Sequence, residues 1–275
     1  MTHTVSPRGI FIAGNWKMNH DQKATDLFFS ELRSKWKSTL SQETLTAIQK
    51  QDLRIALFPP FLSLERAKKA TDKQAIEGLP ILIGAQNGHW AESGAFTGEI
   101  SGPMLKEMNI PLVLIGHSER RQYFGETNVT VRKRSEALLA HGFSIIFCIG
   151  ETREEREKGK TQEILLRQLE EGLPTTLIQK RFFIAYEPVW AIGTGLTATP
   201  EQAEEAHKII RKFLWEKFDM EKAAQTPLLY GGSVTPENAS SLLSRPNVDG
   251  ALVGGASLKP ESFLALIEAG SHALK

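Results

Sequence analysis

The chain has 275 residues, 41% of them hydrophobic and 24% charged, a composition typical of soluble globular proteins. Lysine plus arginine (33) nearly equals aspartate plus glutamate (32). The chain therefore carries no strong net charge that would favour nucleic acid or a membrane surface as a partner. No apolar run reaches the ~20 residues of a membrane span, and the single cysteine, Cys148, excludes an internal disulfide and any cysteine-based metal cluster. We therefore expect a cytoplasmic protein.

Short apolar runs recur along the chain and predict eight β-strands: Ile10–Ala13, Leu53–Phe58, Ile81–Ala85, Leu112–Ile115, Ile145–Ile149, Phe182–Tyr186, Leu228–Tyr230 and Ala251–Val253. These runs show little alternation of apolar and polar residues. Strands covered on both faces have this pattern, so the sequence predicts a parallel sheet.

Helical periodicity lies between the runs, at Ala24–Trp36, Val131–Leu139 and Glu201–Phe218. The first of these segments is predicted to place Leu27, Phe28 and Leu32 on one apolar stripe. Thr199-Pro200-Glu201-Gln202 supplies an N-cap, a proline at the first helical position and an acidic first turn. Thr235-Pro236-Glu237 repeats this signature after the seventh run.

Strand and helix alternate eight times with no glycine- or serine-rich linker between them. We therefore predict one domain over residues 1–275, a closed (β/α)8 barrel of eight parallel strands that follows a short leader at residues 1–8. An open doubly wound sheet would instead require a GxGxxG turn, and the sequence after Gly193-Thr194-Gly195 does not supply one. The polar stretch Lys37–Lys50 is expected to lengthen the first helix or to form a surface connection.

Residues just past the strand ends of such a barrel converge on one mouth. The first strand brings Asn15 and Lys17 there, the fourth His117 and the sixth Glu187. Lys17 is predicted to contact an anion, with an ordinary surface lysine as the alternative. His117 starts a predicted helix, whose positive end favours a neutral imidazole, and its alternative is a buried structural histidine.

Glu187 and the segment behind it predict a catalytic carboxylate under a lid. The carboxylate is followed by the apolar stretch Pro188–Gly195, and apolar side chains on a loop favour a segment that folds down onto the site. An ordinary strand-to-helix connection with a surface glutamate is the alternative. The glycine pairs Gly231–Gly232 and Gly254–Gly255 predict a phosphate site, because glycines let backbone N–H groups approach an anion closely.

Seven motifs follow one another along the chain: GNWKMN (14–19), GAFTGE (94–99), IGHSERR (115–121), CIGE (148–151), AYEPVWAIGTG (185–195), YGGSV (230–234) and LVGGASL (252–258). Their sequences and their order resemble those of the triosephosphate isomerase family. They extend from the first strand to the last helix. Extra residues around Lys37–Gln51 depart from the family pattern without touching a motif.

The resemblance implies the interconversion of dihydroxyacetone phosphate and glyceraldehyde 3-phosphate, a step of glycolysis and gluconeogenesis, with no cofactor or metal. It implies Glu187 as the catalytic base and a neutral His117 that polarises the carbonyl. It implies Lys17, positioned by Asn15, as the group that stabilises the enediolate, and Glu119 as a further catalytic side chain.

Substrate binding is expected from Asn15 and Lys17 together with the backbone N–H groups of Gly193, Ser233, Gly254 and Gly255. The resemblance also implies a homodimer, in which the loop Gln86–Glu99 reaches into the neighbouring subunit and Thr97 braces its site. Cys148 is interpreted as a buried structural thiol.

Two other functions fit the same barrel. A Schiff-base aldolase would use Lys17, but it leaves Glu187 and the lid without a role. A catalytically silent barrel that binds sugar phosphate predicts the loss of an acid, imidazole or ammonium, whereas Lys17, His117 and Glu187 are all present.

Overall fold

The computed structural model describes residues 8–72, 78–174, 182–193 and 197–274. Within these ranges the strands are β1 (Ile10–Asn15), β2 (Leu53–Phe58), β3 (Leu82–Ala85), β4 (Leu112–Ile115), β5 (Ser144–Ile149), β6 (Phe182–Tyr186), β7 (Leu228–Tyr230) and β8 (Gly250–Val253). They pair in parallel in sequence order, and β1 also pairs with β8, which closes the barrel. The predicted (β/α)8 barrel is confirmed. The predicted leader lies outside the described residues, apart from Arg8.

Helices cover the outside of the barrel. Those found in the described ranges are α1 (Gln22–Thr39), α2 (Gln42–Lys50), α3 (Leu64–Ala70), α4 (Gly102–Glu107), α5 (Ser118–Tyr123), α6 (Asn128–Ala140), α7 (Arg153–Glu157), α8 (Thr161–Gly172), α9 (Pro200–Lys217), α10 (Met220–Gln225), α11 (Pro236–Leu243) and α12 (Pro260–His272). None of these helices is both long and apolar enough to cross a membrane.

The predicted starts of α9 and α11 are confirmed by their caps. Thr199 Oγ1 accepts a hydrogen bond from Gln202 N at 3.2 Å, and the Gln202 side chain accepts one in return from Thr199 N at 3.0 Å. Asn238 Oδ1 accepts from Thr235 N in the same way at 2.9 Å. These bonds satisfy N–H groups that the first turn of a helix leaves without a partner.

The predicted stripe of α1 is wrong at one position. Leu27 is 59% exposed. The buried side chains of the helix are Thr25, Phe28, Phe29, Leu32 and Trp36. Because successive residues of a helix are about 100° apart, Leu27 is turned away from the face that Phe28 and Leu32 share.

The stretch Lys37–Lys50 contains both a lengthened helix and a second one. Helix α1 continues to Thr39, and Ser41 then caps α2 by accepting from Thr44 N at 3.2 Å. Helix α2 buries Ala47 and Ile48, so it packs as part of the fold.

The strands are buried on both faces, apart from Leu82 at the start of β3, which is 42% exposed. Phe11 and Ala13 of β1 belong to the cluster that fills the barrel, while Ile10 and Ile12 belong to the layer beneath the helices. This two-sided burial explains the missing alternation in the sequence. Because side chains fill the barrel interior, room for a ligand is left at the strand ends.

Candidate active site

A cavity of about 290 Å³ opens at the carboxyl-terminal end of the barrel. Its wall is formed by strand ends and the segments that follow them: Asn15, Lys17, His117, Glu187, Ile192, Gly193, Gly231, Gly232, Ser233, Val234, Thr235, Leu252, Gly254, Gly255 and Ala256. All of the predicted site residues lie in this wall except Glu119.

Glu187 lies directly after β6, as predicted, and is 1% exposed. Its Oε1 lies 2.9 Å from His117 Nε2, and its Oε2 accepts a hydrogen bond from Ser118 N at 2.9 Å. Two glycines make room for it. A Cβ on Gly150 would overlap the Glu187 carbonyl oxygen, and one on Gly231 would lie 2.9 Å from Glu187 Cγ.

His117 is the N-cap residue of α5 and is 6% exposed. Its Nδ1 accepts a hydrogen bond from Glu119 N at 3.2 Å. The neutral tautomer therefore carries its proton on Nε2, which is directed at Glu187. Burial acts to lower the pKa of His117, but the charge and hydrogen bond of Glu187, together with the charge of Glu119, outweigh it and the pKa is raised. In this arrangement the protonated form is thus more favoured than the sequence predicted.

Lys17 has φ of +55°, in the left-handed region that non-glycine residues rarely adopt. Two side-chain amides hold its backbone there. Asn15 Oδ1 accepts from Lys17 N at 3.0 Å, and Gln86 Nε2 donates to Lys17 O at 2.7 Å and to Phe58 O at 2.9 Å. Sequence reasoning missed Gln86. Its position directly after β3 was the signal that could have found it.

Glu119 lies beside the cavity. Its Oε1 contacts Lys17 Nζ at 2.6 Å, and its side chain is 36% exposed. Its Oε2 lies 3.7 Å from His117 Nδ1, which is too far for a hydrogen bond. The side chain of Glu119 therefore contacts the site through the ammonium group of Lys17, while its backbone N–H donates to His117 Nδ1.

The four residues whose backbone groups are predicted to bind phosphate all line the cavity: Gly193, Ser233, Gly254 and Gly255. A Cβ on Gly254 would lie 3.5 Å from Lys17 Cε, so Gly254 lies next to the Lys17 side chain. Ser233 N donates to Ala191 O at 3.1 Å. That donor is thus engaged by the predicted lid in this structure.

The comparisons with known proteins agree with this geometry. The family model of triosephosphate isomerase matches residues 10–270. The chain belongs to the triosephosphate isomerase family. It is similar to proteins named triosephosphate isomerase from three bacteria. It is 46% identical to that of Solibacter usitatus, covering 93% of this chain and 97% of the relative. It is 46% identical to that of Chlamydia trachomatis serovar L2, covering 95% of this chain and 90% of the relative. It is 47% identical to that of Geobacter metallireducens, covering 93% of this chain and 96% of the relative. The chain is accordingly an isomerase of triose phosphates.

In this member of the triosephosphate isomerase family, a second buried carboxylate lies at the root of the lid, which is the part that directly follows Glu187. Sequence reasoning missed this carboxylate. Glu151 is fully buried. Its Oε1 accepts from Tyr186 Oη at 3.0 Å and from Trp190 Nε1 at 2.9 Å, and it lies 3.3 Å from Arg156 Nη1. A carboxylate two residues after the fifth strand was the signal, and it was present in the CIGE motif.

The predicted lid begins with a short 3-10 turn, Val189–Ala191. Pro188 and Ala191 are buried and Trp190 is half-buried, so these apolar residues do pack down as expected. The last two residues of the predicted lid lie outside the described residues.

Cys148 is fully buried, and burial raises the pKa of its thiol well above the usual range. A thiol with a raised pKa is a poor nucleophile near neutral pH. The prediction of a buried thiol is confirmed.

The loop Gln86–Glu99 is fastened at its two ends and exposed at its tip. Arg134 Nη1 donates to Gly88 O at 2.9 Å and to Glu99 Oε2 at 3.1 Å. Thr97 at the tip is exposed, and Phe96 is 43% exposed. The predicted partner-contacting residue therefore faces away from the rest of this chain.

Proposed function

We propose that the chain interconverts dihydroxyacetone phosphate and D-glyceraldehyde 3-phosphate by moving a proton between adjacent carbons through an enediolate. The observation that carries the proposal is the contact of a carboxylate with an imidazole, Glu187 Oε1 to His117 Nε2 at 2.9 Å, in a cavity that also holds the Lys17 ammonium. Such an isomerisation needs one group to move a proton between carbons and another to serve the oxygens.

Glu187 is the base of the proposed reaction. Its carboxylate accepts hydrogen bonds from His117 Nε2 and Ser118 N, so it must leave these two donors to reach a substrate carbon. A buried carboxylate that has lost its hydrogen bonds is a stronger base, because burial disfavours the charged form. Closure of the lid over the site would exclude water and add to this effect.

Departure of Glu187 also sets the charge of His117. The raised pKa of His117 depends on the negative charge of Glu187, whereas burial acts in the opposite direction. When the carboxylate turns to the substrate, burial, the largest single effect, and the Lys17 charge lower the pKa against the smaller effect of the Glu119 charge. A neutral imidazole that donates from Nε2 then faces the substrate oxygens.

Lys17 stabilises the enediolate. Asn15 and Gln86 fix its backbone, and Glu119 contacts its ammonium group at 2.6 Å. A preorganised cation lowers the energy of developing negative charge more than a mobile one does, because it needs no rearrangement during the reaction. In this proposal Glu119 is a positioning residue that acts through Lys17.

The phosphate is bound by the backbone N–H groups of Gly193, Ser233, Gly254 and Gly255. Ser233 N donates to Ala191 O in the structure. Phosphate binding would therefore replace a hydrogen bond to the root of the lid. We expect this exchange to link substrate binding to lid movement.

The test is a coupled assay with glyceraldehyde 3-phosphate, with and without EDTA, on the wild type and His117→Gln. We expect rapid turnover that EDTA does not change and that the variant largely loses. An isomerase dependent on metal would lose activity in EDTA. Binding of the sugar phosphate without interconversion would support the silent barrel, and trapping of a Lys17 adduct by borohydride would support the aldolase.

We also propose that the chain acts as a homodimer through the loop Gln86–Glu99. The exposed tip at Phe96 and Thr97 supports this, as does Met18, which is 95% exposed in the loop after β1. Phe96 and Met18 both lie in loops that follow strands of the same parallel barrel, and exposed apolar side chains are typical of an interface. The cytoplasmic location and the single domain over residues 1–275 stay predictions.

Sedimentation tests the dimer. Shortening Gly88–Gly94 should shift the chain toward a monomer of much lower activity, because Thr97 would no longer reach the partner's site. A matched shortening of the surface segment Lys158–Lys160 should leave the sedimentation unchanged. A fully active monomer would contradict the proposal.

A further inference from the structure

A second cavity, of about 470 Å³, lies behind Glu187. Its wall comes from the start of α5, the segment after β5 and the root of the lid. Glu187 lines this cavity and the active-site cavity alike, so its side chain is the partition between them. Val189 and Trp190 of the lid also line the second cavity.

The guanidinium of Arg121 lines this cavity without a carboxylate partner. Its nitrogens donate to Gly116 O at 2.8 Å, to Asn128 Oδ1 at 2.7 Å and to Cys148 O at 3.3 Å. These acceptors are neutral and use three of its five donors. Among the described residues no carboxylate lies within ion-pair distance of Arg121. Burial lowers the pKa of its guanidinium, and the more distant charges of Glu187 and Glu126 offset this only in part. A part-buried cation of this kind is stabilised by an anion.

Other charges in the wall already have partners. Glu155 accepts from Thr152 N at 2.8 Å, and Glu187 is bonded to His117 and Ser118. Arg153 at the rim pairs with Glu157, but both side chains are more than 60% exposed. An exposed pair of this kind contributes little and can be exchanged for another anion.

We propose that this cavity binds a small monocarboxylate with a flat apolar body. The carboxylate would contact Arg121 and Arg153, and the apolar body would pack on Ile149, Val189 and Trp190. The volume lies within the range of small-molecule sites in proteins.

Occupancy would act on the active site through the shared wall. A ligand packed against Val189 and Trp190 stabilises the arrangement in which Glu187 stays bonded to Ser118. Because linkage between sites is reciprocal, it would weaken substrate binding and lower kcat without occupying the substrate cavity. This part of the inference rests on the proposed function of Glu187.

The test uses 2-naphthoate as the probe and 2-naphthamide as its uncharged counterpart, with binding measured by calorimetry. We expect naphthoate to bind with a Kd of about 1 mM or below, as is usual for about 13 non-hydrogen atoms, and naphthamide to bind much more weakly.

Arg153→Gln should weaken naphthoate binding about fivefold, the effect of one exposed ion pair. Lys158→Gln is the matched control, because Lys158, directly after the same helix, pairs with Glu154 and does not line the cavity. Gln122→Trp, which fills the cavity, should abolish binding.

Equal binding of naphthamide, or no saturable binding, would overturn the proposal. So would naphthoate binding that is unaffected by both Arg153→Gln and Gln122→Trp. Inhibition should be mixed with respect to glyceraldehyde 3-phosphate, and purely competitive inhibition would place the probe in the substrate cavity. Calorimetry reports binding even if the chain lacks isomerase activity, so failure of this inference is distinguishable from failure of the proposed function.

Discussion

Glu187 shows how closely a single side chain is placed at the proposed site. It is held by Ser118 N and His117 Nε2, and glycines at positions 150 and 231 leave room for its backbone and its Cγ. Each of these contacts restricts where the carboxylate can reach. A change of one methylene at this position therefore has a large effect on a reaction that depends on proton transfer.

Glu187→Asp withdraws the carboxylate by about 1 Å, and a displacement of that size can cost ~10²-fold in rate. We expect kcat to fall by about that factor while KM changes little, since the phosphate contacts remain. Steady-state kinetics in both directions measure this. Glu205→Asp, at an exposed position of α9, is the control. Equal kcat in Glu187→Asp and the wild type would remove Glu187 from the mechanism.

The lid is the element on which the proposed chemistry depends. Its root is held in place, because Glu151 accepts hydrogen bonds from both Tyr186 of β6 and Trp190 of the lid. Farther along, Gly193 has φ of +67° and is exposed. A fixed root and a glycine in the left-handed region suit a segment that moves as a unit over the cavity.

Deleting Ile192–Thr194 should let the enediolate lose phosphate, because water and free rotation would no longer be excluded from the site. We expect kcat to fall and inorganic phosphate to appear during turnover, measured with a phosphate-binding dye. The wild type under the same conditions is the reference. A deletion variant that turns over slowly but releases no phosphate would refute the protective role of the lid.

At the scale of the whole molecule, packing of α9 on the barrel buries a histidine that the proposed chemistry does not use. His207 is fully buried, and its Nδ1 contacts Asn247 O at 3.0 Å. Its Nε2 has no hydrogen-bond partner among the described residues. Burial lowers the pKa of His207 from 6.5 to about 4.

This lowered pKa makes stability depend on pH. Between pH 6.5 and about 4 the unfolded chain binds a proton at His207 that the folded chain does not, so stability is present above pH 6.5 and is lost as the pH falls. The loss is on the order of 3 kcal/mol. Urea unfolding at pH 7.5 and 5 should show His207→Gln losing less stability on acidification than the wild type. His272→Gln, exposed at the end of α12, is the control. An identical acid loss in His207→Gln and the wild type would contradict the assignment.

The sequence alone determined the barrel and most of the candidate site. Two-sided burial produces continuous apolar runs, and a barrel places whatever follows those runs at one mouth, so Asn15, Lys17, His117 and Glu187 could be predicted to meet. Local signals also predicted the cap at Thr199. The position of Leu27 could not be predicted with the same certainty, because apolar residues on adjacent helical positions leave the buried face open.

Only the tertiary structure decided the contacts between side chains distant in sequence. Gln86 reaches Lys17, Glu151 reaches Trp190, and Glu187 reaches Ser118 N, each across a gap in sequence that no local pattern records. The charge of His117 depends in the same way on Glu187, which is 70 residues away in the sequence. Hydrogen bonds and pKa shifts depend on distances of a few ångströms, and those distances are set by the packing of the whole barrel.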